Sequence, residues 1–125
     1  DDHPVVAESL NNIALLLLSE GDLDNSETLF RKAIEIKEET FGPTHLSTAS
    51  TLHNLAILLH KKHNFTEAEE IYIKVIAIRT DCLGNDHPDT KTTLLNQNRL
   101  SIDKELAKTK GMKDEEQKLF PSIQR

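Results

Sequence analysis

Apolar residues Leu10, Ile13, Ala14 and Leu17 fall at i, i+3, i+4 and i+7, the stripe that one face of an α-helix presents. Pro4 suits the first turn of that helix, where a missing N–H costs nothing. Gly21-Asp22 then marks a short turn. Leu29, Phe30, Ala33, Ile34 and Ile36 predict a second helix from about Asp24, closed by Phe41-Gly42-Pro43, where Gly admits a left-handed cap and Pro blocks continuation. The pattern then returns. Leu52, Leu55, Ala56 and Leu59 form a stripe, His63-Asn64 a turn, and Ala68, Ile71, Tyr72, Val75, Ile76 and Ile78 a second helix ending at Leu83-Gly84. The chain reads as all-α, with a helix hairpin as its unit.

The hairpins are in register. His3, His45 and His87 are spaced by 42, as are Gly42 and Gly84, and residues 1–42 laid over 43–84 without a gap give twelve identities. These include Ala7/Ala49, Leu10/Leu52, Asn12/Asn54, Ala14/Ala56, Leu16/Leu58, Leu17/Leu59 and Ile34/Ile76. A fixed period of this length marks a repeat array. The expected organisation is repeat 1 over 1–42, repeat 2 over 43–84, a partial third unit over 85–110 and a charged tail over 111–125.

The third unit keeps His87-Pro88, Thr93-Leu94 and Asn96 in register, but Gln97, Asn98 and Ser101 replace apolar or small residues. Glu105, the counterpart of Gly21, carries no turn signal. One longer helix is expected from about Asp89 to Lys110, ending before Gly111. Polar substitution on a face that would receive another helix suits a terminal cap; the alternative is a degenerate repeat that continues further. In the tail only Leu119, Phe120 and Ile123 could anchor against the rest, so it either docks weakly or is disordered.

The runs His3-Pro4, Ser9-Leu10-Asn11-Asn12-Ile13-Ala14, Ala68-Glu69-Glu70-Ile71-Tyr72 and Leu83-Gly84-Asn85-Asp86-His87-Pro88 resemble the tetratricopeptide repeats of kinesin light chain and nephrocystin. The resemblance covers about residues 3–96 and implies an α-solenoid of antiparallel helix hairpins, to which the departures of the third unit add a longer C-terminal capping helix. In the family pattern small residues let the paired helices approach. Ala14, Ala56 and Ala68 match it, whereas Ser26 stands where Ala is usual.

Composition narrows the partners. The formal charge is -6, with residues 1–42 carrying -7, residues 43–84 neutral and residues 85–125 at +1. An acidic chain lacks the clustered cations that nucleic acid requires. The longest apolar run, Ile13–Leu18, is far short of a membrane span, and no leader is expected. Cys82 is alone, which suits a reducing compartment, and a cytoplasmic location is the expectation. Asn64-Phe65-Thr66 matches a glycosylation acceptor that would matter only on a secretory route.

Catalytic and cofactor chemistry finds little support. The glycines are isolated, so no phosphate loop forms. His53, His60 and His63 could share a helix face, and His60 and His63 could reach one ion. Structural zinc needs four ligands, and no carboxylate or Cys in that stretch supplies them. His3, His45 and His87 sit a whole repeat apart and read as packing or capping groups. The pair Ser50/His53 has no oxyanion hole or orienting third group. No enzyme activity, metal or cofactor is expected.

Function is therefore sought in a surface. By the resemblance, the first helices line a concave side whose groove positions include Glu8, Asn11, Asn12 and Leu15 in repeat 1, and His53, Asn54, Ile57 and His60 in repeat 2. The third unit adds Leu95, Asn96 and Arg99. Asn12, Asn54 and Asn96 repeat one amide at one position. Either they hold an extended peptide by its backbone, since a carboxamide both donates and accepts, or they bond to a neighbouring helix and organise the hairpins. Repeats that clamp chaperone C-terminal carboxylates need Lys where this chain has Glu8 and Thr92 and Arg where it has Asn96, so those tails are not expected to bind. The resemblance thus implies a module that binds a linear peptide or partner helix within a larger adaptor or scaffold, such as a kinesin-light-chain-like protein. The opening at a repeat boundary fits excision from a longer array. The alternative is self-association, such as a homodimer, through repeat faces or the third helix.

Overall fold

The computed structural model describes residues 3–121, and Ile123 lies outside them. Five helices follow one another: α1 (His3–Glu20), α2 (Leu23–Phe41), α3 (Leu46–Lys61), α4 (Phe65–Leu83) and α5 (Pro88–Leu119). The first four form two antiparallel hairpins, and no strand occurs among the described residues.

The turns repeat as closely as the helices. Asp22 N donates to Leu17 O at 2.9 Å and Gly21 N to Leu18 O at 3.1 Å; Asn64 N to Leu59 O at 2.8 Å and His63 N to His60 O at 3.0 Å copy them. Each pair is a Schellman closure that needs a left-handed residue, met by Gly21 at φ 84° and by His63 at φ 62°. Between hairpins, Gly42 (φ 94°, ψ 163°) and Gly84 (φ 87°, ψ 167°) occupy a region that only Gly enters freely. His45 and His87 then cap the next helices: their Nδ1 atoms accept from Ser47 N at 3.0 Å and Asp89 N at 3.1 Å. That confirms the capping reading of these two repeated histidines.

Helices pack in the order α1 on α2, α2 on α3, α3 on α4 and α4 on α5, with slighter contact between α1 and α3 and between α3 and α5. The backbones of the outer helices α2 and α4 stay apart, and the two are joined through the side-chain ion pair of Arg31 and Glu67 at 2.9 Å. The leading helices therefore approach one another more closely than the trailing ones, and the array bends with α1, α3 and α5 inside.

The core is built around α3, which packs between α2 and α4. Phe30, Tyr72, Leu55, Leu58, Leu59 and Val75 are among its largest buried side chains, with Ala14, Ala56 and Ala68 at the close approaches. Ser26 is fully buried yet satisfied, its Oγ donating to Ala14 O at 2.6 Å, which explains how a hydroxyl fills a site usually held by Ala.

Two expectations are corrected. The buried stripe of α1 is Ala7, Asn11, Ala14 and Leu18, while Ile13 is exposed, because α1 has packed neighbours on only some of its faces. Helix α5 does not stop before Gly111 but runs to Leu119, so the expected tail is mostly helical. The register explains why α5 stays straight rather than folding back. The positions of Ser26, Phe30, Ala33 and Ile34 are taken in α5 by Lys110, Asp114, Gln117 and Lys118, which no hairpin core could bury.

Candidate interaction groove

The inner helices are tied by polar side chains that repeat with the hairpins. Asn54 Nδ2 on α3 donates to Asn11 Oδ1 on α1 at 3.1 Å, and Asn96 Nδ2 on α5 lies 3.2 Å from His53 Nε2 on α3. Asn11 and His53 are repeat equivalents, as are Asn54 and Asn96. Both links are the same bond made twice. Two of the three repeated amides thus use one hydrogen to join hairpins, through a side chain rather than a backbone, while Asn12 on α1 is exposed.

A second repeated element stands beside each link. Lys37, almost fully buried, extends Nζ to Ser47 O at 3.2 Å and to Glu8 Oε2 at 3.1 Å. Its equivalent Arg79 donates to Asp89 O at 3.1 Å and to Thr93 Oγ1 at 2.8 Å. Each cation thus reaches a carbonyl in the first turn of the following helix and ties the end of one hairpin to the start of the next.

His53 is the most constrained group of this seam. With Asn96 donating to Nε2, the ring carries its hydrogen on Nδ1, which points to Thr93 Oγ1 at 3.2 Å; that hydroxyl donates onward to Asp89 O at 3.1 Å. Burial, aided by the Arg79 guanidinium 3.4 Å from the ring, lowers its pKa to about 4. Both ring nitrogens are engaged, so His53 is not free to act as a base toward Ser50. His60, His53 and His63 also part company. His60 Nε2 pairs with Asp103 Oδ2 at 2.6 Å, and His63 lies in the turn, stacked on Phe65 with ring centroids 5.2 Å apart. Among the described residues no group of three or more His, Cys, Asp or Glu side chains is placed to hold a metal.

The open part of the inner surface is a cleft of about 350 Å³ between α3 and α5, lined by Ile57, His60, Lys61, His63, Tyr72, Asn96, Arg99 and Asp103. Tyr72 of α4 forms its floor, its phenol pushed up to about 12 by burial. A further hollow continues past His63 and Asp103 along Phe65, Leu106 and Ala107. The α3 wall sets Ile57 beside His60 and Lys61, and the α5 wall carries the Asn96 amide, the Arg99 guanidinium and the Asp103 carboxylate. Asp103 is hydrogen-bonded to His60, and Lys61 and Arg99 are the cations that the cleft offers a ligand.

Of the expected groove residues, Ile57, His60, Asn96 and Arg99 meet in this cleft. Asn11 and His53 are buried beneath the seam and support it instead of lining it. Glu8, Asn12 and Leu15 lie on α1, outside the cleft, with Glu8 held by Lys37. Leu95 occupies the register position of Asn11 and His53, on the side of α5 away from α3, and does not line the cleft. Lys61, His63, Tyr72 and Asp103 were not anticipated. Asp103 could have been found from the 43-residue offset that joins Asn11 to Asn54 and His53 to Asn96, since His60 to Asp103 has the same offset.

Comparison with known proteins agrees with the fold of helix hairpins. The family model described as tetratricopeptide repeat matches residues 5–69 and 47–97. A search of curated proteins finds no match. Among solved structures, one titled as a crystal structure of Podosopora anserina putative kinesin light chain nearly identical TPR-like repeats superposes with a TM-score of 0.74 at 21% identity. The match covers 86% of this chain and 51% of that one, so the chain spans about half the length of its structural relative. At this identity the likeness is one of fold.

Proposed function

The chain belongs to the tetratricopeptide repeat family, whose repeats are in general protein–protein interaction modules, and from that premise we propose that it binds a linear peptide or partner helix of another protein along its inner surface. The observation that carries the reading is the cleft between α3 and α5, where Ile57 offers an apolar wall opposite Asn96 and Arg99. An extended segment entering it can bury an apolar side chain against Ile57 and satisfy a peptide group on the free carbonyl oxygen of Asn96. Arg99 and Lys61 stand at the rim to orient it.

Two features support this use of the seam. The amides are fixed by Asn11 and His53 before any ligand arrives, so little side-chain entropy is lost on binding. The remaining polar capacity of Asn96 faces the cleft it lines. The same reading makes the chain part of a larger adaptor or scaffold, with an exposed free thiol at Cys82 suited to a reducing, cytoplasmic setting.

The test is selection of peptides from a displayed random library on the immobilised chain, followed by titration against variants. Arg99→Glu and Ile57→Asp are expected to weaken a selected peptide about tenfold or more, as for central interface residues. Unchanged affinity in both, with circular dichroism intact, would remove the cleft from the binding site.

A further inference from the structure

Each leading helix turns one face toward the helix before it. In α5, whose chief neighbour is α4, the buried residues are Thr90, Thr93 and Leu100. Their register partners in α3 are Thr48, Thr51 and Leu58, and Thr48 Oγ1 donates to Gly42 O at 2.9 Å, at the end of α2. Leu55 completes the α3 set, and all four residues are 0–2% exposed. In α1 the same positions are Val6, Ser9, Ile13 and Leu16. Here Val6, Ile13 and Leu16 are 43%, 49% and 58% exposed, with Val5 beside them at 67%, and Ser9 is exposed as well. The stacking face used twice inside the chain is present a third time, with more apolar side chains, and lies open.

The internal copies also show what such a face receives. The helix laid on each carries a cation one turn before its own end: Lys37 in α2 reaches Ser47 O, and Arg79 in α4 reaches Asp89 O and Thr93 Oγ1. In α1 the residue in the place of Ser47 and Asp89 is Val5, and the residue in the place of Thr93 is Ser9. The carbonyl position and the hydroxyl that Arg79 uses on α5 therefore both recur on α1. The apolar face and the polar contacts call for the same kind of occupant.

We propose that this face of α1 docks an amphipathic helix of the α2/α4 pattern, supplied from outside residues 3–121, whose apolar side packs on Val6, Ile13 and Leu16. A Lys or Arg one turn before its C-terminal end donates to Val5 O and Ser9 Oγ. A second copy of this chain fits less well, because its α2 and α4, the helices of that pattern, are each already packed between two neighbours. The surface is separate from the cleft between α3 and α5, and its occupancy leaves that cleft open.

The probe is a fluorescent synthetic peptide with the sequence of residues 23–41, titrated into the whole chain by anisotropy, with sedimentation of the chain alone alongside. Saturable binding is expected, weakened about tenfold or more by Leu16→Asp, as for a central apolar contact. Ser9→Lys sets an ammonium against Lys37 of the peptide and should weaken binding. Lys37→Glu within the peptide should then recover binding to that variant, as charge-complementary partners do. Ile13, Leu16 and Ser9 are exposed, so their variants keep the fold, which circular dichroism checks. Absence of saturable binding, or binding indifferent to Leu16→Asp and Ile13→Asp, overturns the proposal. So does a concentration-dependent dimer that Leu16→Asp abolishes in a chain that ignores the peptide, since a second copy would then be the occupant.

Discussion

Asn54 of α3 donates to Asn11 of α1 at 3.1 Å, and this bond, repeated by Asn96 on His53, fixes how one hairpin sits on the next. The amide is only partly exposed and its partner is buried, so truncation strands Asn11. Asn54→Ala should lower stability by about 1 kcal/mol, the net worth of such a bond. Urea denaturation of Asn11→Ala, Asn54→Ala and the double variant should return a coupling energy near that figure, because the two residues share one bond. Additive losses would mean that the contact contributes nothing.

His53 gives the array an acid sensitivity of definite sign. Its pKa falls from 6.5 in the unfolded chain to about 4 in the folded one, so the folded state binds fewer protons between those values. The contribution is complete above pH 6.5 and drains away toward pH 4, a loss of roughly 3 kcal/mol for a shift of this size. The groups facing the ring are Arg79 from α4 and Thr93, Asn96 and the charge of Asp89 from α5, and only Asp89 favours protonation. The lowered carboxylates Asp24 and Glu27, held by Lys62, act in the same direction but at lower pH, below the ordinary carboxylate range. Chemical denaturation of wild type and His53→Gln at pH 7 and pH 5 should show a smaller pH-dependent loss in the variant.

Thr51 Oγ1 is buried without a hydrogen-bond partner among the described residues, although its equivalent Thr93 Oγ1 accepts from Arg79. The difference follows from the cation: Lys37 spends its ammonium on Ser47 O and Glu8. Replacing the hydroxyl by a methyl group removes an uncompensated desolvation cost. Thr51→Val should raise stability by about 1 kcal/mol, measured by thermal denaturation.

Gly111 is helical within α5, and an added Cβ there meets nothing within 4 Å. The helix beyond it makes no hairpin, so its stability depends on local propensity. Gly111→Ala should stabilise this segment by about 1 kcal/mol. Amide exchange of residues 105–119 should slow, while affinity for a peptide in the cleft stays the same.

The hairpins, their turns and the straightness of α5 were legible because each rests on a local rule. Apolar spacing predicts the helices, Gly42 and Gly84 the breaks between hairpins, and the lack of a turn signal at Glu105 the uninterrupted final helix. The end of α5 was missed for the same reason. Gly111 looks like a stop signal locally, yet nothing forces a left-handed residue there and the helix passes through. The exposure of α1 was missed because periodicity states which residues share a face but not whether anything covers it. The row of Asn12, Asn54 and Asn96 was visible, whereas its partners Asn11 and His53 depend on an offset of one repeat plus one residue. Asp103 entered the cleft by the same offset. Such side-to-side register is set by how hairpins stack, and no single helix encodes it.

The central claim is that the inner cleft is where a peptide is held, and residue-resolved NMR tests it most directly. Amide and side-chain spectra of the labelled chain would be followed while a library-selected peptide is added. The account predicts that the largest shifts gather at Ile57, His60, Asn96, Arg99 and Asp103. Shifts gathered instead on the outer side, around Arg31, Glu38 and Lys74, would contradict it.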